Sequence, residues 1–140
     1  MKHFFPTPTP EKQLTPLYSD KVPAGFPSPA QDYVHARIDL NEYCISHPSA
    51  TYFLIASGES MIEAGITDGS MLVVDRSIGA CHGDIVIASI AGEFTVKRLC
   101  LNPVAQLEPM NPKFSPIPLP DGGEDLDIVG VVVSTITRLK

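Results

Sequence analysis

Ser60 and Lys97 are the two side chains whose types and settings best suit chemistry done together. Ser60 lies in Ala56-Ser57-Gly58-Glu59-Ser60-Met61, directly after the apolar run Tyr52-Phe53-Leu54-Ile55. Lys97 lies in Gly92-Glu93-Phe94-Thr95-Val96-Lys97-Arg98-Leu99, inside a second apolar run. A serine hydroxyl is a weak nucleophile until a neighbouring base takes its proton. A lysine is such a base only when neutral, and at the reference pKa of about 10.4 only roughly one in two or three thousand is neutral at pH 7. Burial among apolar groups penalises the ammonium and lowers that pKa. A lysine in a hydrophobic strand is therefore where a working base can arise, and the pair reads as a Ser-Lys dyad.

Plainer readings stand beside this one. Ser60 also fits a turn serine capping the Met61–Ala64 segment, and Lys97 a hairpin lysine whose Lys97-Arg98 pair faces water. Two familiar signatures are absent. The hydrolase elbow G-x-S-x-G lacks its second glycine in Gly58-Glu59-Ser60-Met61-Ile62, and no S-x-x-K starts at Ser60. His82 is a second basic candidate, but it sits in turn sequence with no obvious orienting carboxylate.

The elements that must position the pair are mostly strands. From Ser49 onward, Tyr52 to Ala56, Met71 to Asp75, Asp84 to Ile90, Phe94 to Leu101, Val104 to Pro109 and Asp127 to Leu139 carry strand patterns. Ala91-Gly92-Glu93 joins two of them as a hairpin, and Gly65, Asp68-Gly69, His82-Gly83-Asp84 and Asp121-Gly122-Gly123 supply turns. Ile85-Val86-Ile87 and Val129 to Val133 are continuous rather than alternating, as in strands buried on both faces. The expected fold is mainly β, a small domain over 41–140.

Residues 1–40 read differently. Seven of the fourteen prolines fall between Pro6 and Pro29, and proline lacks an amide donor and disfavours helix before it. This predicts an extended, mobile arm, which is the backbone form that peptidases bind. Short helices are expected after it. Ser28, Pro29 and Gln31 resemble an N-cap, a first-turn proline and a capping-box partner, and Asp39 with Glu42 repeats the pattern until Pro48 ends it.

Composition narrows the function classes. The 140 residues support one domain and a tail, and the net charge of −6 argues against a free-standing nucleic-acid binder. No window is long and apolar enough for a membrane span, and Met1-Lys2-His3-Phe4-Phe5-Pro6 does not read as a signal peptide. Cys44, Cys81 and Cys100 are odd in number and lack CxxC spacing, so reduced thiols in the cytoplasm are expected, with no metal site and no cofactor.

Several blocks in order carry a resemblance. Gly58-Glu59-Ser60-Met61, Gly65-Ile66-Thr67-Asp68-Gly69, Leu72-Val73-Val74-Asp75, His82-Gly83-Asp84-Ile85-Val86-Ile87-Ala88 and Gly92-Glu93-Phe94-Thr95-Val96-Lys97-Arg98-Leu99 resemble the Ser-Lys peptidase family of LexA-type repressors and UmuD-type mutagenesis proteins. Gly25-Phe26-Pro27-Ser28-Pro29-Ala30, Arg37-Ile38-Asp39-Leu40-Asn41 and the 47–53 segment extend the likeness to the UmuD branch over nearly the whole chain. The resemblance implies a LexA/signal-peptidase-like β domain, Ser60 as nucleophile, Lys97 as general base, and an oxyanion hole from the amides at Ser60 and next to it. It implies self-cleavage between Ala24 and Gly25, since the family cuts between a small residue and glycine. Its further implications are an SOS response role stimulated by RecA–ssDNA filament, a homodimer, and a product that serves a UmuC-like Y-family polymerase in translesion synthesis. A LexA- or phage-type repressor is the first alternative. It is weakened by the absence of a helix-turn-helix before the β domain, so no direct sequence-specific DNA binding is expected. A signal peptidase would need a membrane anchor, and a catalytically silent β scaffold is the non-enzymatic alternative.

Overall fold

The computed structural model describes residues 7, 9–27, 29, 33–119 and 126–140, and these are mainly β. They divide into two compact units, Thr7–Ser46 and His47–Lys140.

The first unit contains strands β1 (Thr15–Tyr18) and β2 (Val34–Ile38) and helix α1 (Leu40–Cys44). β1 and β2 pair antiparallel, from Thr15 opposite Ile38 to Tyr18 opposite Val34. Ser19 N extends the ladder to Tyr33 O at 2.8 Å, and Lys12 Nζ lies 3.1 Å from Glu42 Oε1. One expectation is refined and one corrected here. Part of the arm is extended as a strand and paired. Pro16 is tolerated there because neither strand of a two-stranded sheet needs to donate on both sides. The helix expected after Ser28 does not form over the described part of that stretch. Val34 and Ile38 favour the pleated surface that β1 offers; Ser28 and Gln31 lie outside the described residues. The second helix forms as read: Asp39 Oδ1 accepts from Asn41 N at 3.1 Å. It stops at Cys44, and Pro48 instead opens a 3₁₀ turn, Pro48–Ala50.

The second unit is one seven-stranded antiparallel sheet. Its strands are β3 (Thr51–Ile55), β4 (Met71–Asp75), β5 (Ile85–Ile90), β6 (Glu93–Cys100), β7 (Gln106–Glu108), β8 (Ile117–Pro118) and β9 (Asp127–Ile136), in the order β3-β4-β9-β5-β6-β7-β8. All six strands read from the sequence of this unit are present, while β8 was not foreseen. Ile90 opposes Glu93, so Ala91-Gly92 is a two-residue hairpin turn with φ of 50° and 82°, the pair of positive values that such turns require.

The run in β5 packs on both faces as its pattern requires, and the run in β9 does so as far as Val132, whereas Val133 is exposed. Ile87 packs with Tyr52, Met61, Leu72 and Val74, whereas its neighbour Val86 packs with Leu99, Leu107 and Val131. Successive strand residues point to opposite faces, so β5 separates two apolar layers. The long strand β9 lies between β4 and β5 and shifts register against each. Gly130 occupies the tight spot: a Cβ there would lie 2.6 Å from Val74 Cγ1 and 3.1 Å from the Asp75 carbonyl oxygen.

One polar cluster is built into this unit. Asp75 is buried at the end of β4, with Oδ2 2.6 Å from His47 Nδ1. Its Oδ1 accepts from Ser77 N at 2.8 Å and Ser77 Oγ at 2.6 Å. Burial by itself would raise this carboxyl, but the bonds from Ser77 and His47 outweigh it and hold it below the ordinary value.

Candidate active site

The segment carrying Ser60 is a loop closed at its base. β3 ends at Ile55, Ala56 N bonds Ser70 O at 2.8 Å, and Gly69 N returns to Ala56 O at 2.8 Å. Asp68 Oδ1 accepts from Gly58 N at 2.8 Å, so the loop is braced across its width. Met61, 2% exposed, is buried in the apolar layer beside Tyr52 and Leu72 and anchors the residue next to the serine. A 3₁₀ turn, Ile62–Ala64, follows, and Gly65 stops it at φ 80°, a conformation that costs glycine little. Met61 is the cap residue of that turn and no side chain caps it. The capping role open to Ser60 in the sequence is therefore not the one it has.

β6 brings Lys97 to this loop. The Lys97 amine donates to Ser60 Oγ at 3.1 Å, to Thr95 Oγ1 at 2.8 Å and to Val96 O at 3.1 Å. All three N–H directions of the ammonium are thus satisfied by neutral acceptors. Among the described residues no carboxylate forms an ion pair with Lys97. Burial holds the amine below the ordinary lysine value. The water-facing reading of Lys97 does not hold, although its neighbour Arg98 pairs with Glu108 opposite it on β7, Nη2 to Oε2 at 2.6 Å.

The two side chains line one cleft of about 180 Å³, walled by Leu54, Ile55, Ile87, Phe94 and Val96. Its apolar walls are the cause of the lysine's desolvation. Chemically, the arrangement offers a hydroxyl, an amine predisposed to lose its proton, and an apolar face beside both. β3 is an end strand of its sheet and contributes Leu54 and Ile55 to the wall.

The other residues singled out in the sequence each have a setting of their own. Ala24 and Gly25 are exposed and form part of a bend in the connection between β1 and β2. His82 has a structural engagement, its Nδ1 accepting from Leu101 N at 3.0 Å. Cys81 is exposed and Cys100 buried, with Cys100 Sγ donating to Asn102 O at 3.1 Å. Among the described residues, no helix is long and apolar enough to cross a membrane.

Three participants escaped the sequence reading. Thr95 was legible in principle, since residues two apart on a strand share a side. Met110 and Asn111 were not: Met110 N donates to Ser60 O at 2.8 Å and Asn111 Nδ2 to Glu59 O at 2.9 Å. Contacts with a backbone carbonyl leave no side-chain pattern to find.

The chain is similar to known proteins over most of its length. Residues 16–133 match the Peptidase S24-like family. Protein ImpA of Salmonella typhimurium is 52% identical over 132 residues, covering 93% of this chain and 88% of ImpA. Protein MucA of Escherichia coli is 51% identical over 121 residues, or 86% of this chain and 83% of MucA. Protein SamA of Salmonella typhimurium strain LT2 is 47% identical over 135 residues, or 96% of this chain and 94% of SamA.

Proposed function

The chain belongs to the Peptidase S24-like family, and on that premise we propose that it is a self-cleaving serine peptidase of the SOS mutagenesis response. Ser60 is the nucleophile, Lys97 the general base, and the bond cut is Ala24–Gly25. The observation that carries this reading is the 3.1 Å contact between Lys97 Nζ and Ser60 Oγ, with the amine desolvated and no ion-paired carboxylate among the described residues.

Neutral Lys97 takes the Ser60 proton as Oγ attacks the carbonyl carbon of Ala24. The developing oxyanion is held by the amide of Ser60 and its neighbour. The C–N bond breaks as Lys97 returns the proton to the amine of Gly25, leaving an acyl ester on Ser60. Water, deprotonated by Lys97, then attacks that ester, and as the acyl carbon–Oγ bond breaks Lys97 passes the proton to Ser60 Oγ, freeing the Ala24 carboxyl group and restoring the dyad. Small side chains on both sides of the bond let an extended backbone approach closely. A positioned base contributes about 10²–10⁴-fold and one oxyanion donor about 10²–10³-fold, so cleavage is expected to quicken as rising pH frees the base. RecA–ssDNA filament is the physiological stimulus in this reading. The Gly25–Lys140 product, as a homodimer, joins a UmuC-like Y-family polymerase for translesion synthesis.

The test is cleavage of the full chain with activated RecA filament, and separately at about pH 10, read by intact mass beside Ser60→Ala and Lys97→Ala. A product beginning at Gly25, lost in both variants, is the expected result. No product under either condition, or one that survives Ser60→Ala, overturns the reading.

A further inference from the structure

The nucleophile loop is held from behind by a second loop. Proline-rich 109–116 makes three hydrogen bonds to it: Asn111 Nδ2 to Glu59 O at 2.9 Å, Met110 N to Ser60 O at 2.8 Å, and Glu63 N back to Met110 O at 2.8 Å. Pro109, Pro112 and Pro116 limit the backbone freedom of the holding loop. Asn111 is 5% exposed and its amide group is fixed at both ends, because Oδ1 accepts from Lys113 N at 3.0 Å while Nδ2 reaches Glu59. Turning that amide over would set Nδ2 against the Lys113 donor.

A peptide unit is planar, and in its trans form the C=O and the following N–H point in opposite directions. The carbonyl of Glu59 and the N–H of Ser60 belong to one such plane. We propose that Asn111 is a positioning residue, which pins the Glu59 carbonyl and thereby aims the Ser60 N–H at the oxyanion of the reacting peptide. Met110 does the same for the next plane, since its amide holds the Ser60 carbonyl and so fixes the Met61 N–H. The inference deepens the self-cleavage reading and rests on it. Asn111 touches no reacting atom; it acts through Glu59.

Oxyanion donors are effective because they need no reorganisation when charge develops. Releasing the carbonyl lets the plane rock, and a misaimed donor forfeits part of the roughly 10²–10³-fold that such a donor supplies. Asn111→Ser is neutral, keeps an acceptor for Lys113, and is too short to reach Glu59. Its self-cleavage rate on the alkaline plateau is expected to fall about 10–100-fold, while the pH midpoint stays where the wild-type chain has it. A merely loosened site would admit water to Lys97 and move the midpoint toward the ordinary lysine value. That shift, or an unchanged plateau in a wild-type chain that cleaves, overturns the inference alone. A wild-type chain that never cleaves overturns the self-cleavage reading and this inference with it. Independently of cleavage, isotope-labelled full-length Ser60→Ala is expected to show a scalar coupling across the hydrogen bond from Asn111 Nδ2 to the Glu59 carbonyl carbon. Its absence overturns the proposal.

Discussion

Thr95 and Lys97, two residues apart on β6, meet through their side chains, with Thr95 Oγ1 accepting from the amine at 2.8 Å. Strand geometry sends both side chains to the same side. Together with Val96 O at 3.1 Å, this contact fixes the direction from which Nζ approaches Ser60. The amine is aimed before it loses a proton.

Thr95→Val keeps the branched shape and removes that acceptor. A bond to the charged form favours it, so losing the bond moves the alkaline midpoint of self-cleavage to lower pH. Aim is lost as well, and the plateau rate is expected to drop about tenfold. A pH–rate profile identical to wild type would deny Thr95 any part in the site.

Lys97 also makes stability depend on pH. Its folded value lies below the unfolded one, near 10.4, so between the two the unfolded chain binds more protons. Stability therefore rises as pH climbs through the folded value and levels off above the unfolded value. Lys97→Met is expected to be more resistant to urea than wild type at pH 7 and to lack this alkaline gain. Parallel pH dependences in the two proteins would contradict the desolvation argument.

Asp75 behaves in the opposite sense. Its carboxyl is held below the ordinary value, so its contribution is present above about pH 4 and is lost as pH falls through the folded value. Asp75→Asn removes the charge from a buried site with three polar partners and is expected to cost about 2–4 kcal/mol at pH 7. Urea unfolding of the two proteins should converge toward pH 2; an equal gap at every pH would show that the charge has no role.

Gly130→Ala puts a methyl group 2.6 Å from Val74 Cγ1 where β9 crosses β4. Overpacking of this kind costs about 1–3 kcal/mol. Adding Val74→Ala should recover part of the loss, leaving the 3.1 Å approach to the Asp75 carbonyl uncorrected. Additive losses in the double variant would place the strain elsewhere.

How much of this was legible in the sequence follows from where the information lies. Met71–Asp75 was read to the residue because turn residues bound it on both sides. The double burial of β5 was visible because unbroken apolar runs suit strands covered on both faces, while the same pattern in β9 overreached at Val133, which is exposed. β1 was hidden by Pro16, which argues against a strand unless the pairing partner is known. The cap-like residues before Tyr33 drew a helix where pairing with β1 decides for a strand, since local signals are weaker than the ladder a neighbour completes. Ser60 and Lys97 were each ambiguous alone, and only several blocks of resemblance joined them across 37 residues. Asn111 lies 52 residues from the carbonyl it holds.

The β1–β2 pairing has a consequence for any cut in the connection between the strands. All four residues of β1 are exposed, and a lone two-stranded sheet is marginal in water. The peptide link helps to keep β1 in place by presenting it to β2 at an effective concentration on the order of millimolar. Severing the link at micromolar protein dilutes β1 about a thousandfold in a single step. The strand then leaves by mass action, with no hydrogen bond having been attacked, and β2 is left with an unpaired row of amides and carbonyls. A hydrolysis that touches one covalent bond is thereby read out as the vacating of an edge.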